Sequence, residues 1–169
     1  VSSEADVRSV AISENALPTS YVSKTVSSAS YTRAVSNVAA FALKDAEIFV
    51  STSAEIGPDV FSAYAEAVQS NVLFGDFAKI RGVPELKIAS DDVKARHACS
   101  VERFSEDRLF YLRSRGLSEQ EALASMISAK ISEIFSGLPE GFVSFSESLC
   151  QRAISSIVSE SSTSKSNRP

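Results

Sequence analysis

Residue types that usually carry chemistry are scarce in this chain. Its 169 residues include one histidine, one methionine, two cysteines and no tryptophan. The two thiols, Cys99 and Cys150, do not make a disulfide framework, and reduced cysteines are the simpler expectation. No phosphate-binding loop, GxSxG, CxxC or HExxH pattern occurs, and any Ser–His–Asp arrangement would have to use the single histidine, His97. These absences argue against an enzyme. No apolar run approaches the ~20 residues that a membrane-spanning helix needs. Charge of one sign is not in excess either: 17 Lys and Arg stand against 21 Asp and Glu, for a net −4. Without a basic stripe, no nucleic-acid contact is expected.

What is present is enough to fold. Apolar residues make up 44% of the chain, which excludes a wholly disordered protein and allows one domain or two small ones. Serine is common and glycine is limited to six residues. Residues 160–169 have no apolar side chain to anchor them and are expected to be a disordered tail. The chain opens at Val1 rather than methionine, which suggests a presequence or a longer N-terminal part. No targeting peptide is visible in what remains.

Along the chain, residues 1–20 hold scattered small apolar residues ending near Pro18, and suggest an N-terminal arm or cap. Residues 21–103 form a β-rich part. Short apolar runs such as Tyr21-Val22, Val38–Leu43 and Ile48–Val50 alternate with small polar residues and suggest short strands. Gly57-Pro58-Asp59 is a turn, Phe61–Val68 fits helix or strand, and Gly82-Val83-Pro84 and Ser90-Asp91-Asp92 separate further strands. Such short strands with polar corners suit a stacked or rolled sheet.

Residues 104–159 form a helical part. Glu106 and Asp107 open a first helix, Arg113 and Arg115 occupy its last turn and Gly116 ends it. Ser118-Glu119-Gln120-Glu121 is a capping box, and Ala122, Leu123, Met126, Ile127, Ile131, Ile134 and Phe135 then recur at helical spacing until Gly137 and Pro139. A third helix is expected from about Gly141 to Ser159, with Phe142, Phe145, Leu149, Ala153, Ile157 and Val158 on one side. Apolar stripes on three short helices imply that they pack together. The fold class is therefore α+β, a short-stranded part followed by a three-helix domain.

The candidate chemistry lies just before the joint. If the strand from Val93 continues, alternation puts Val93, Ala95, His97 and Cys99 on one face. An imidazole and a thiolate so placed can reach one soft metal or an iron–sulfur precursor, and since clusters usually need four ligands the site would be shared with another chain. The other reading is a structural histidine with an inert cysteine beside it. Arg113 and Arg115 can bind an anionic group, or simply oppose the helix dipole and pair with acidic neighbours.

One stretch is more specific than these patterns. PELKIASDDVKARHACSVERFSEDRLFYLRSRG, Pro84 to Gly116, resembles a segment of the SufB/SufD scaffold proteins of iron–sulfur cluster assembly. It shares DDVK, the histidine and LFYLRSRG, and Asn71-Val72-Leu73-Phe74-Gly75-Asp76 is similar to the family's NLLLSD. The resemblance covers roughly residues 71 to 140 and is SufD-like. It implies that the β-rich part is the last rungs of a right-handed parallel β-helix. It also implies that His97 faces a SufB-like partner where a cluster is transiently built, with no cofactor held stably. The helical domain, through Phe110, Tyr111, Arg113 and Arg115, would receive a SufC-like ATPase. The sequence departs from the family pattern at Ala95 (cysteine in the family), Ala98 (glycine), Ser100 (threonine) and Glu102 (glycine). Cys99 stands where the family has alanine, so any role for it rests on its own position. These departures keep open a second reading, a structural subunit of a large organellar assembly such as a ribosome or a respiratory or photosynthetic complex. Reduced thiols suit plastid, mitochondrion or bacterial cytoplasm, and the serine-rich, drifted sequence favours an organelle.

Overall fold

The computed structural model describes residues 2–14, 16–74, 76–142, 144–149, 151, 152 and 155. They fall into two compact units that meet in sequence between Arg103 and Phe104.

The first unit is a parallel β-solenoid. Its strands are β1 (Ser3–Ser13), β2 (Thr19–Ser27), β3 (Thr32–Ala42), β4 (Glu47–Ile56), β5 (Ala63–Leu73), β6 (Lys79–Ile88) and β7 (Val93–Arg103). Odd strands form one sheet in the order β1-β3-β5-β7, and even strands form a second in the order β2-β4-β6. Each strand pairs in parallel with the one two places on, so the chain winds from sheet to sheet and back. Ser3 lies beside Thr32, Arg33 beside Tyr64 and Ala63 beside Val93, a coil of roughly 30 residues that falls within the range of solenoid repeats. Backbone bonds carry the stacking through the corners, as from Gly57 N–H to the Ser27 carbonyl (3.0 Å) and from Ala89 N–H to the Ile56 carbonyl (3.0 Å).

The strands are longer than the sequence pattern suggests. They run 9 to 11 residues, and the segment expected to be an arm or cap contains β1, in register with β3 throughout. Phe61–Val68 resolves to strand from Ala63. Gly82-Val83-Pro84, expected to separate two strands, lies inside β6. Proline is tolerated there because β6 is the end strand of its sheet, where one row of backbone groups needs no ladder partner.

The interior is lined by small residues. One apolar cluster joins Val38, Ala40, Ala42, Ala46, Ile48, Val50 and Ala78, and a second joins Ala54, Ile56, Val60, Ala63, Ala65 and Ala67. Between them, at mid-strand, the inward positions turn polar. Ser23 and Ser36 hydroxyls pair at 2.8 Å, and Gln69 Nε2 donates to Thr52 Oγ1 at 2.9 Å and to the Val50 carbonyl at 3.3 Å. Glycine is rare in the corners because other residues take the left-handed conformation there, among them Asp59 (φ 58°) of the expected turn and Ser62 (φ 53°).

The second unit is helical. α1 (Glu106–Ser114) opens with Glu106 and Asp107 at its positive end, carries Arg113 in its last turn, and is followed by Gly116 at φ 98°. α2 (Glu119–Phe135) starts with the expected capping box: Ser118 Oγ accepts from Glu121 N–H at 3.2 Å, and the Glu121 carboxylate accepts from Ser118 N–H at 2.8 Å. Of the expected apolar stripe, Ala122, Ile127 and Ile131 are buried, whereas Leu123, Met126, Ile134 and Phe135 are half-buried. A 3-10 turn at Glu140–Phe142 precedes helical residues 144–149, and the Phe135 and Phe145 rings meet edge to face at 6.3 Å. Ala153, Ile157, Val158 and the 160–169 tail lie outside the described residues, as does Cys150.

Candidate ligand site on the last strand

β7 closes the four-stranded sheet, and among the described residues the opposite sheet has no strand after β6 to face it. The register with β5 sets Ala65 beside Ala95, Ala67 beside His97, Gln69 beside Cys99 and Asn71 beside Val101. Ala65, Ala67, Gln69 and Asn71 point into the solenoid and are buried. Their β7 neighbours Ala95, His97, Cys99 and Val101 therefore continue the interior face, and yet every residue of β7 after Val93 is exposed. The strand presents an inward-type face that the first unit leaves open.

The same-face placement of His97 and Cys99 follows from the register, and the structure adds a polar floor beneath Cys99. Asn71 Nδ2 donates to Cys99 Sγ at 3.3 Å, and the thiol can donate to Gln69 Oε1 at 3.5 Å. Gln69 and Asn71 are only 1% and 0% exposed. Asn71 Oδ1 is buried with no hydrogen-bond partner among the described residues. Gly82 of β6 completes the floor. A β-carbon there would lie 2.6 Å from Gln69 Oε1 and 2.8 Å from both Asn71 Nδ2 and Cys99 Sγ, so only glycine leaves room for the three polar ends. Sequence reading missed Gln69, Asn71 and Gly82. The available signal was two polar residues at alternate positions of an otherwise apolar strand, AYAEAVQSNVL.

Cys99 is an exposed free cysteine. An imidazole and a thiol on one face suit a borderline-soft cation such as iron(II) or zinc. Among the described residues no group of three His, Cys, Asp or Glu side chains could hold a metal ion, so these two do not make a closed cage.

The opposite face of the same strands carries a charge ladder. Tyr64 and Arg96 both hydrogen-bond the Glu66 carboxylate, and the Arg33 guanidinium lies 5.3 Å from the Tyr64 ring centre. Burial works against ionisation of Glu66, but the hydrogen bonds from Arg96 and Tyr64 outweigh it and hold the carboxyl below its usual range. On the second sheet Glu55 is likewise held low by hydrogen bonds from Lys24 and Lys87.

In the helical unit, Phe110 and Tyr111 are 74% and 56% exposed. Arg113 pairs with Glu119 at 3.7 Å. Arg115 follows α1 as its cap residue, donates to the Tyr111 hydroxyl at 3.2 Å and lies 5.3 Å from that ring's centre. Arg113 thus has an acidic neighbour within its own unit, and Arg115 an aromatic one. Phe110, Arg113, Ser114, Leu117, Ser118 and Glu119 line an open groove of ≈ 700 Å³.

Residues 1–130 match the family model described as the SUF system FeS cluster assembly, SufBD core domain. The chain is 37% identical over 73 residues to the Escherichia coli (strain K12) iron-sulfur cluster assembly protein SufD, covering 43% of this chain and 17% of that protein. It is 36% identical over 75 residues to the Synechocystis SufBD family protein slr0076, covering 44% and 17%. With the chloroplastic Arabidopsis thaliana SufBD family protein ABCI8 it shares 35% over 72 residues, covering 43% and 13%. The aligned stretch thus spans between 13% and 17% of the length of these relatives. With a family model matched over most of its length and a parallel solenoid to go with it, the chain belongs to the SufBD family.

Proposed function

We propose that this chain is a SufD-like scaffold piece in iron–sulfur cluster assembly. His97 on the open face of β7 lines an interface with a SufB-like chain, and iron and sulfide are cargo there rather than a resident cofactor. The observation that carries this reading is the conjunction of a SufBD core match over residues 1–130 with a histidine on the face where the solenoid stops. Two liganding side chains cannot close a cluster site, so a second chain completes it. The helical unit, with Phe110 and Tyr111 exposed beside Arg113 and Arg115, receives a SufC-like ATPase, which supplies the nucleotide chemistry. The chain itself acts as a non-catalytic scaffold. Its setting is an organelle: a relative named as chloroplastic stands among the matches, beside bacterial ones.

The test is gentle affinity purification from the native source with mass spectrometry, followed by His97→Ala in the recovered complex. Co-purification of a SufB-like chain and an ATPase, with cluster formation lowered by His97→Ala and no loss of folding, is the expected result. Recovery instead of many subunits of a ribosome or of a respiratory or photosynthetic complex would make the chain a structural subunit and refute the assembly role. An unchanged rate of cluster formation in His97→Ala would remove His97 from the site.

A further inference from the structure

We propose that Cys99 is a second metal-binding residue of this chain, so that His97 and Cys99 form a two-ligand half-site for a borderline-soft divalent cation, iron(II) in the setting above. The inference rests on the reading that the open face of β7 handles iron, and it adds a ligand that the resemblance does not supply.

Three observations carry it. First, alternate residues of a strand lie about 6.6 Å apart on one face. Side chains of that spacing converge on one ion at about 2.0–2.1 Å for an imidazole nitrogen and about 2.3 Å for a thiolate. Second, the sulfur is held. Asn71 Nδ2 donates to it at 3.3 Å from a residue buried in the floor, and Gly82 gives it the space a β-carbon would take. A donor aimed at the sulfur remains in place when the thiol gives up its proton to water on binding the cation. Third, Asn71 Oδ1 is buried with no partner. An unpaired buried carbonyl oxygen is costly, at about 1–3 kcal/mol, and it belongs to the same amide that donates to Cys99 Sγ.

The experiment uses the full chain and a spectroscopic probe, independent of any assembly activity. Cys150→Ser leaves Cys99 as the sole thiol, and Co²⁺ is titrated to excess while thiolate-to-cobalt charge-transfer absorbance is followed. One equivalent bound with that band is expected. Cys99→Ser should abolish the band, and His97→Ala should keep it while weakening Co²⁺ binding about tenfold, near 1.4 kcal/mol. Absence of the band in the parent, or its survival in Cys99→Ser, overturns the assignment of Cys99. Unchanged affinity in His97→Ala overturns the pairing. Circular dichroism of each variant reports whether it folds. Because neither partner nor ATPase enters the measurement, the half-site can fail while the co-purification above succeeds, and the reverse.

Discussion

Replacing Gly82 by alanine should destabilise the solenoid by about 2 kcal/mol, and the structure says why. Gly82 does not occupy the left-handed region, so alanine fits its backbone and the cost comes from contact. The new methyl would meet Gln69 Oε1 at 2.6 Å, and Asn71 Nδ2 and Cys99 Sγ at 2.8 Å. The Cys99 sulfur is held only by contacts of 3.3 and 3.5 Å on an exposed residue and yields first, whereas Gln69 is pinned by its bonds to Thr52 Oγ1 and the Val50 carbonyl. Over-packing costs roughly 1–3 kcal/mol, and each hydrogen bond of Gln69 that is displaced costs about 1 kcal/mol more. Against this, alanine restricts the unfolded chain and returns about 0.4–1 kcal/mol. The assay is urea unfolding at matched m-value, followed in the β-sheet signal so that the helical unit does not mask the transition. Cys99→Ala in the same background removes one of the three collisions and should recover part of the loss. The rate of Cys99 alkylation should rise in Gly82→Ala as the sulfur is pushed off its floor. An unchanged or higher midpoint, with unchanged alkylation, would refute the account of Gly82 as the space for the polar floor.

Two further outcomes follow from groups whose partners are identified. Glu66 has a lowered pKa when folded, so it contributes stability that is fully present above its unfolded pKa and is lost as pH falls through the folded value. Glu66→Gln should therefore lower stability at neutral pH and flatten the acid limb of a stability–pH curve measured by urea midpoints, and an acid limb of unchanged steepness would show that the carboxylate is not paired. In the helical unit, Ser118→Ala removes the hydroxyl that accepts from Glu121 N–H and should cost about 1 kcal/mol in the melt of the helical signal. A loss of only a few tenths would mean that the capping box does not hold the start of α2.

What the sequence shows depends on the range of the interaction behind each feature. The capping box of α2 is complete within four residues, and its start is read correctly from Ser118 and Glu121 alone. The strands are harder. Their inward positions are filled mainly by alanine, serine and threonine, as in Ala34, Ser36, Thr52 and Ala54, so inside and outside differ little in hydropathy and the alternation fades. Ser3–Ser13 shows this most clearly: its side chains are largely polar, and it is a strand because β3 offers it a complete ladder. Gly82-Val83-Pro84 looks like a break because it would be one in a central strand, and its place at a sheet end depends on the topology.

The site divides along the same line. That His97 and Cys99 share a face follows from alternation over three residues, a local rule that holds wherever the strand holds. That the face belongs to the interior and yet lies open follows from the register of β7 on β5, fixed by the length of β6 and the two corners between them. Gln69 and Asn71 are brought beside Cys99 by that register alone, across 30 and 28 residues of sequence, and no motif search on the chain would pair them. The chemistry is therefore set by two kinds of information. A short motif supplies the imidazole, and the stacking supplies the amides and the glycine that meet the thiol.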